Sequence, residues 1–248
     1  MLVKSPDTAV LIDCGINGKC LRESLARVDM VPEDLSGILI THDHRDHTSG
    51  LGVVMRRHRL PVYITEKTYA ATRPSLGKID ETLVRPFVRG ESFVVGDFLV
   101  DTFATEHDAA DSLGFHVKHR DGSVAVCTDL GCMTETVREG IKGANLIYIE
   151  ANYDPELLQN GKYPYYLKER IRGGRGHLSN NECGETMTEL LEAGTEHFVL
   201  SHLSQENNHP DLAELTVLMT MNAYGAKRDL DYRMSVAKRY AVSDITEI

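Results

Sequence analysis

Thr41-His42-Asp43-His44-Arg45-Asp46-His47 puts three imidazoles and two carboxylates into six consecutive positions, straight after the apolar run Gly37-Ile38-Leu39-Ile40. Packing does not explain that density, because His and Asp are poor core residues and neighbouring carboxylates repel. A metal ion explains it, since neutral imidazole and carboxylate oxygen are the ligand set of zinc and its borderline neighbours. At an extended strand end, residues i and i+2 project to one side, so His42 and His44 can grip one ion. Where the chain then turns, Asp46 and His47 can face a second. A solvated polar loop is the competing reading and the weaker one.

Two ions need more ligands than this cluster holds. Three polar residues that end apolar runs are the candidates: His107 after Thr102-Phe103-Ala104-Thr105-Glu106, Asp129 after Val126-Cys127-Thr128, and His202 after Phe198-Val199-Leu200-Ser201. A single histidine at a strand end is more often structural, but beside a half-built site the three complete the count. One ion would take His42, His44 and His107, the other Asp46, His47 and His202, with Asp129 bridging. Two divalent ions held ~3.5–4 Å apart generate a bridging hydroxide near neutral pH and clamp the oxygens of a displacement. The ligand set suits zinc or manganese and does not choose between them. Asp46 has a second possible role, orienting the hydroxide through its free oxygen.

The elements that must position these residues are legible as alternating signals. Apolar, strand-like runs lie at 9–12, 37–40, 62–64, 98–100, 114–117, 123–127, 145–149 and 197–200, with a further candidate in 232–242. Several are continuous, which predicts strands covered on both faces. Helical spacing predicts a helix over 21–28 (Leu21, Leu25, Val28) and another over 50–58, whose last turn carries Arg56, Arg57 and His58. Ser179-Asn-Asn-Glu182 has the capping-box pattern, and Pro210 suits a first helical turn. No Ser/Gly/Pro-rich linker, repeat or low-complexity tract divides the 248 residues, so one domain over 1–248, an α+β arrangement of mixed sheets between helices, is expected.

Composition narrows the setting. No apolar run approaches the ~20 residues that span a bilayer, and the first residues are too polar for a secretory signal, so no membrane role and a cytoplasmic location are expected. Five cysteines without a Cys-x-x-Cys pair argue against a disulfide framework and against a thiolate zinc site. The net charge of −10 argues against a general nucleic-acid coat protein but not against a local basic surface.

With these residues in place, the sequence resembles the metallo-β-lactamase-fold hydrolases, whose signature is His-x-His-x-Asp-His followed by later His, Asp and His ligands. All seven positions match, at His42, His44, Asp46, His47, His107, Asp129 and His202. Asp13, in Leu11-Ile12-Asp13-Cys14-Gly15, resembles the family's first motif, which supports the site from behind the ligands. The resemblance implies a four-layer αβ/βα sandwich with the ions at one edge of two facing sheets. Leu-Ile-Asp-Cys-Gly, Thr-Glu-His-Asp-Ala-Ala-Asp at 105–111, Gly-His-Leu-Ser-Asn at 176–180 and Ser-His-Leu-Ser-Gln-Glu-Asn-Asn at 201–208 are similar to the YycJ/WalJ subfamily. That likeness implies exonuclease activity on DNA, and a first strand and Gly-Ser-Ser-Gly-Asn-type loop that would precede Leu2.

The substrate reading rests on two further stretches. His177 lies just ahead of the cap at Ser179 and Asn180, where a helix amino terminus offers free N–H groups to a phosphate. Related nucleases of this fold carry a histidine in a comparable setting, which implies that His177 protonates the leaving oxygen or holds the scissile phosphate. Residues 161–175 hold five basic groups and three tyrosines against one acid. Basic groups follow a phosphate backbone and aromatic rings stack bases, so Lys168, Arg172 and Arg175 join His177, Ser179 and Asn180 as expected substrate contacts. A solvated helix face with inward tyrosines is the bland alternative. His58, His116, His119 and His197 lack motif context, His209 reads as a cap, and Asp108 and Asp111 are candidates to orient His107. The function expected is a dinuclear-metal-dependent phosphodiesterase, a DNA exonuclease. A thioester or small-ester hydrolase, or a non-catalytic regulatory protein of the same fold, is the alternative.

Overall fold

In the computed structural model, which describes residues 1–248, the apolar run Ala9–Ile12 sends Ala9 and Leu11 into one core and Val10 and Ile12 into another. The same alternation splits Ile38 and Ile40 from Leu39. Strands apolar on both faces must be covered on both faces, and here they are.

The first sheet contains β1 (Leu2–Lys4), β2 (Ala9–Ile12), β3 (Gly37–Leu39), β4 (Val62–Thr65) and β5 (Val84–Phe87), in that order. Only the β1–β2 pair is antiparallel. Four helices are interspersed: α1 (Gly18–Ala26), α2 (Arg45–Thr48), α3 (Leu51–His58) and α4 (Glu66–Leu76). Leu21, Leu51, Val54 and Leu76 from α1, α3 and α4 close the outer face against Leu11, Ile38 and Val62.

The second sheet contains β6 (Ser92–Val95), β7 (Phe98–Ala104), β8 (Leu113–His119), β9 (Gly122–Cys127), β10 (Leu146–Glu150), β11 (His197–Ser201) and β12 (Arg233–Val236), in sequential spatial order. Pairing is antiparallel from β6 to β9 and parallel from β9 to β12. Its helices are α5 (Glu135–Ile141), α6 (Pro155–Asn160), α7 (Tyr165–Arg172), α8 (Asn180–Glu192) and α9 (Pro210–Tyr224). Val137, Met187 and Val217 from α5, α8 and α9 pack on Cys127, Ile147 and Leu200. Between the two sheets, Val10, Ile12 and Leu39 meet Phe98, Val100 and Phe115. The result is helix, sheet, sheet, helix: the expected four-layer α+β sandwich of two mixed sheets.

The differences from expectation lie at the edges. β1, β5 and β6 are short strands with half-exposed side chains, so they lack the continuous apolar signal, and Pro86 in β5 is tolerated because β5 is an edge. Helix α1 begins at Gly18 because the Asn17 side chain accepts from the Lys19 and Cys20 amides. His209 holds the cap position of α9 but its side chain makes no capping bond. The five cysteines are free thiols, and no helix is long and apolar enough to cross a membrane.

Candidate metal centre

The ends of β2, β3, β9 and β11, together with the turn between β7 and β8, deliver the chemistry to one rim of the sandwich. His42 and His44 follow β3, Asp46 and His47 lie in α2, and His107 leaves β7. Asp129 follows β9 and His202 follows β11. Asp13, Asp129 and His202 all stop their strands in the left-handed region, with φ of 60°, 55° and 56°. Asp and His enter that region more readily than most residues, at a cost on the order of 1 kcal/mol, and the turn points each side chain back across the sheet ends.

The seven expected ligands come together. His42, His44 and His107 form one group, Asp46, His47 and His202 a second, and Asp129 stands with His42 and His47. His107 Nε2 lies 3.2 Å from His44 Nδ1, His47 Nε2 lies 3.3 Å from Asp129 Oδ2, and His202 Nε2 lies 3.4 Å from Asp129 Oδ1. Asp129 Oδ1 is also 3.6 Å from His107 Nε2, so one carboxylate reaches both groups. A tetrahedral ion with bonds of ~2.0–2.1 Å separates its ligand atoms by roughly 3.3–3.4 Å, so these spacings fit such a cage. Two buried atoms make the same point. His42 Nε2 and Asp129 Oδ2 have no hydrogen-bond partner, a costly state that a cation relieves.

The imidazoles are fixed from behind. Asp13 accepts from His47 Nδ1 at 2.7 Å and from the Thr41 hydroxyl at 2.8 Å, and that hydroxyl accepts from His42 Nδ1 at 3.0 Å. Both rings therefore present Nε2 to the site, the supporting role the sequence resemblance implies for Asp13. Gly176 carbonyl accepts from His107 Nδ1 at 3.0 Å, and Arg175 donates to the His107 carbonyl at 2.8 Å.

Glu150 is the residue that sequence reasoning does not single out. It is fully buried and accepts four hydrogen bonds: from His202 Nδ1 at 2.7 Å, His177 Nδ1 at 2.8 Å, and the Leu130 and Leu178 amides at 3.1 and 3.2 Å. A carboxylate saturated in this way is a buttress, although it clusters with Asp129, His177 and His202 as a fourth possible ligand group. Its signal is the one that marks the ligands, an acid ending the apolar run Leu146-Ile147-Tyr148-Ile149.

Charge follows this geometry. Burial, reinforced by His47, pushes His42 down to about 2, so it is a neutral ligand. Burial alone would lower His202, but Asp129, Asp46 and Glu150 outweigh it and raise the imidazole to about 10. His47 is raised likewise, against its burial, by Asp13 and Asp129. For Glu150, the His177 and His202 partners overcome burial and hold the carboxyl well below its usual range.

A cavity of about 520 Å³ opens over the cluster, lined by His44, Arg45, Asp46, Arg170, His177 and His202 among others. His177 thus sits where the sequence places it, its Nδ1 tied to Glu150 and its other nitrogen left to the cavity. Ser179 and Asn180 are different. Ser179 is buried and locked in a reciprocal capping box with Glu182, and buried Asn180 exchanges amide hydrogen bonds with Asn208. The helix start is saturated from within, so neither side chain is presented to the cavity as the substrate expectation requires. Lys168 bonds the Gln159 carbonyl and Arg172 pairs with Glu169, both turned away from the cavity, while Arg175 holds His107. Of the basic residues in the 161–175 tract, the one that does line the cavity is Arg170, held by Asp108. Asp108 also approaches His107 Nε2 at 3.5 Å, whereas Asp111 pairs with Arg89 instead.

The family described as beta-lactamase superfamily domain matches residues 8–203. Exodeoxyribonuclease YycJ of Bacillus anthracis is 34% identical over 225 residues, covering 91% of this chain and 85% of that protein. Exodeoxyribonuclease WalJ of Streptococcus pneumoniae serotype 2 (strain D39) is 34% identical over 241 residues, covering 96% and 90%. Among solved structures, the metallo-β-lactamase fold protein YhfI from Bacillus subtilis superposes with a TM-score of 0.69 at 18% identity, covering 96% of this chain and 87% of that one. Zn(2+)-bound PqqB from Methylobacterium extorquens gives 0.66 at 18% identity, covering 95% and 83%. These two likenesses speak for the fold.

Proposed function

The chain belongs to the metallo-β-lactamase superfamily, beside the YycJ and WalJ proteins, and from that premise we propose that it is a phosphodiesterase removing nucleotides from DNA ends with two divalent ions, zinc or manganese. The observation that carries the proposal is His177. It is an imidazole beyond the seven ligands, oriented by a buried carboxylate, with one nitrogen facing the cavity. A thiolate leaves a thioester without help, because thiols are comparatively acidic. The alkoxide of a nucleic-acid diester needs a proton as it departs, and a positioned imidazolium supplies one. The exodeoxyribonuclease activity for which YycJ and WalJ are named supports DNA as the substrate.

His42, His44, His107, Asp46, His47, His202 and Asp129 would hold the ions, which would supply Lewis acidity and lower the pKa of a water. The chain's own residues do the rest. Asp46, largely exposed at the cavity mouth with Oδ2 3.6 Å from His47 Nε2, orients the attacking water through its carboxylate. Arg45 and Arg170 line the cavity and offset the charge of the diester. Glu150 favours the protonated form of His177, because its carboxylate outweighs burial and raises the ring, and the outer nitrogen of that form donates its proton to the leaving oxygen.

The test is to incubate metal-loaded protein with end-labelled single- and double-stranded DNA, RNA and a thioester, beside Asp46→Ala and His177→Ala. The proposal expects nucleotide release from DNA, lost in both variants. Thioester cleavage alone, or DNA cleavage untouched by His177→Ala, would sink it.

A further inference from the structure

Helix α7 has two flanks with different partners. Leu167 and Ile171, one turn apart, face inward and pack on Tyr153 and Leu158. On one side of that inward stripe, Lys168 and Arg172 turn toward α6, where they bond Gln159. On the other side lie Tyr166 and Arg170, also one turn apart and therefore aligned. Arg170 enters the cavity above the ligand cluster, and Asp108 grips its Nε and Nη2. Nη1 makes no bond within the protein and is the edge left to a ligand. Tyr166 is 73% exposed, and it precedes Arg170 by four residues, ~6 Å along the helix axis. A phenol that bare, one turn from a tethered guanidinium, leaves most of its surface to solvent in the folded chain.

We infer that this flank of α7 is the track for a single-stranded DNA end: Arg170 holds a backbone phosphate at the cavity mouth, and Tyr166 stacks the base one step outward. The inference rests on the phosphodiesterase reading above and names the substrate surface that serves it. A guanidinium suits phosphate oxygens, and an exposed aromatic ring stacks any base without choosing a sequence. Asp108 fixes the guanidinium beside the first ligand group, its Oδ1 lying 3.0 Å from Arg170 Nη2 and 3.5 Å from His107 Nε2, so the cation is held at the cavity mouth. The exposed Tyr165, 72% bare, provides the internal control, because its helical phase places it toward Arg172 on the far side.

Tyr166→Ala, Tyr166→Phe, Tyr165→Ala and Arg170→Ala are compared on a single-stranded oligonucleotide and on bis(p-nitrophenyl) phosphate, a diester too short to reach Tyr166. Binding of a labelled oligo(dT) is followed by anisotropy in the His177→Ala background. Tyr166→Ala should raise the oligonucleotide KM about tenfold or more, the size of one lost stack, with kcat on the small diester unchanged. Tyr166→Phe should restore KM, Tyr165→Ala should leave it alone, and Arg170→Ala should weaken oligo(dT) binding. Equal KM in wild type and Tyr166→Ala, or an equal loss in Tyr165→Ala, would overturn the track while leaving the phosphodiesterase reading intact. If no DNA is cut yet Tyr166→Ala still weakens oligo(dT) binding, the track stands and the reading above falls. If oligo(dT) is neither cut nor bound, both fall.

Discussion

At the scale of single residues, the site consists of ligands and the acids that aim them. Asp13 aims His47 directly and His42 through Thr41, while Glu150 aims His202 and His177. Glu150 is thus the one side chain shared by the candidate metal cage and the proposed proton donor. Oε1 accepts from both imidazoles and Oε2 from both amides, so Gln keeps the volume but removes the charge and sets an NH2 donor against one of those two pairs of donors. Outer partners of metal ligands are worth roughly 10–100-fold in affinity or activity. Glu150→Gln should therefore lower both bound metal and turnover by about that factor while circular dichroism shows an intact fold. Unchanged metal content with full activity would show that the buttress is ornamental. Arg170 teaches the complementary lesson: in the sequence it is one of five cations in a tract, and only the phase set by Leu167 and Ile171 separates it from Lys168 and Arg172.

At the scale of elements, strand ends make the site and helix caps hold it. His107, Asp129 and His202 are legible in the sequence because each is a polar residue ending an apolar run, and a sheet delivers such ends to a common rim. Glu150 ends its run in the same way, but nothing local separates a residue that holds an ion from one that holds a histidine. The edge strands are illegible for a different reason: half-exposed β5 and β6 need no apolar continuity. The capping box at Ser179 is legible, but its saturation is not, since it depends on Asn208 arriving from beyond β11 to satisfy Asn180. That contrast is measurable. Ser179→Ala should lower unfolding stability by about 1 kcal/mol in chemical denaturation and leave the KM for DNA unchanged. A raised KM at unaltered stability would return Ser179 to the substrate surface.

For the whole molecule, the fold gathers scattered charge into one rim of a protein whose net charge is −10. Four carboxylates, Asp13, Asp46, Asp129 and Glu150, converge with the five candidate ligand imidazoles and His177, a concentration that the metal-free chain offsets by holding protons. His202, raised to about 10, and His47, also raised, both carry a proton at neutral pH when no ion is bound. A metal ligand must be deprotonated, so uptake has to expel those protons, and affinity must rise with pH toward 10. The most direct test of the two-ion site is calorimetric titration of zinc into metal-free protein at pH 7, in two buffers of different ionisation enthalpy. The geometry predicts two ions per chain, with net proton release that shrinks as the pH is raised. Saturation at one ion per chain or fewer, or uptake without proton release, would contradict it.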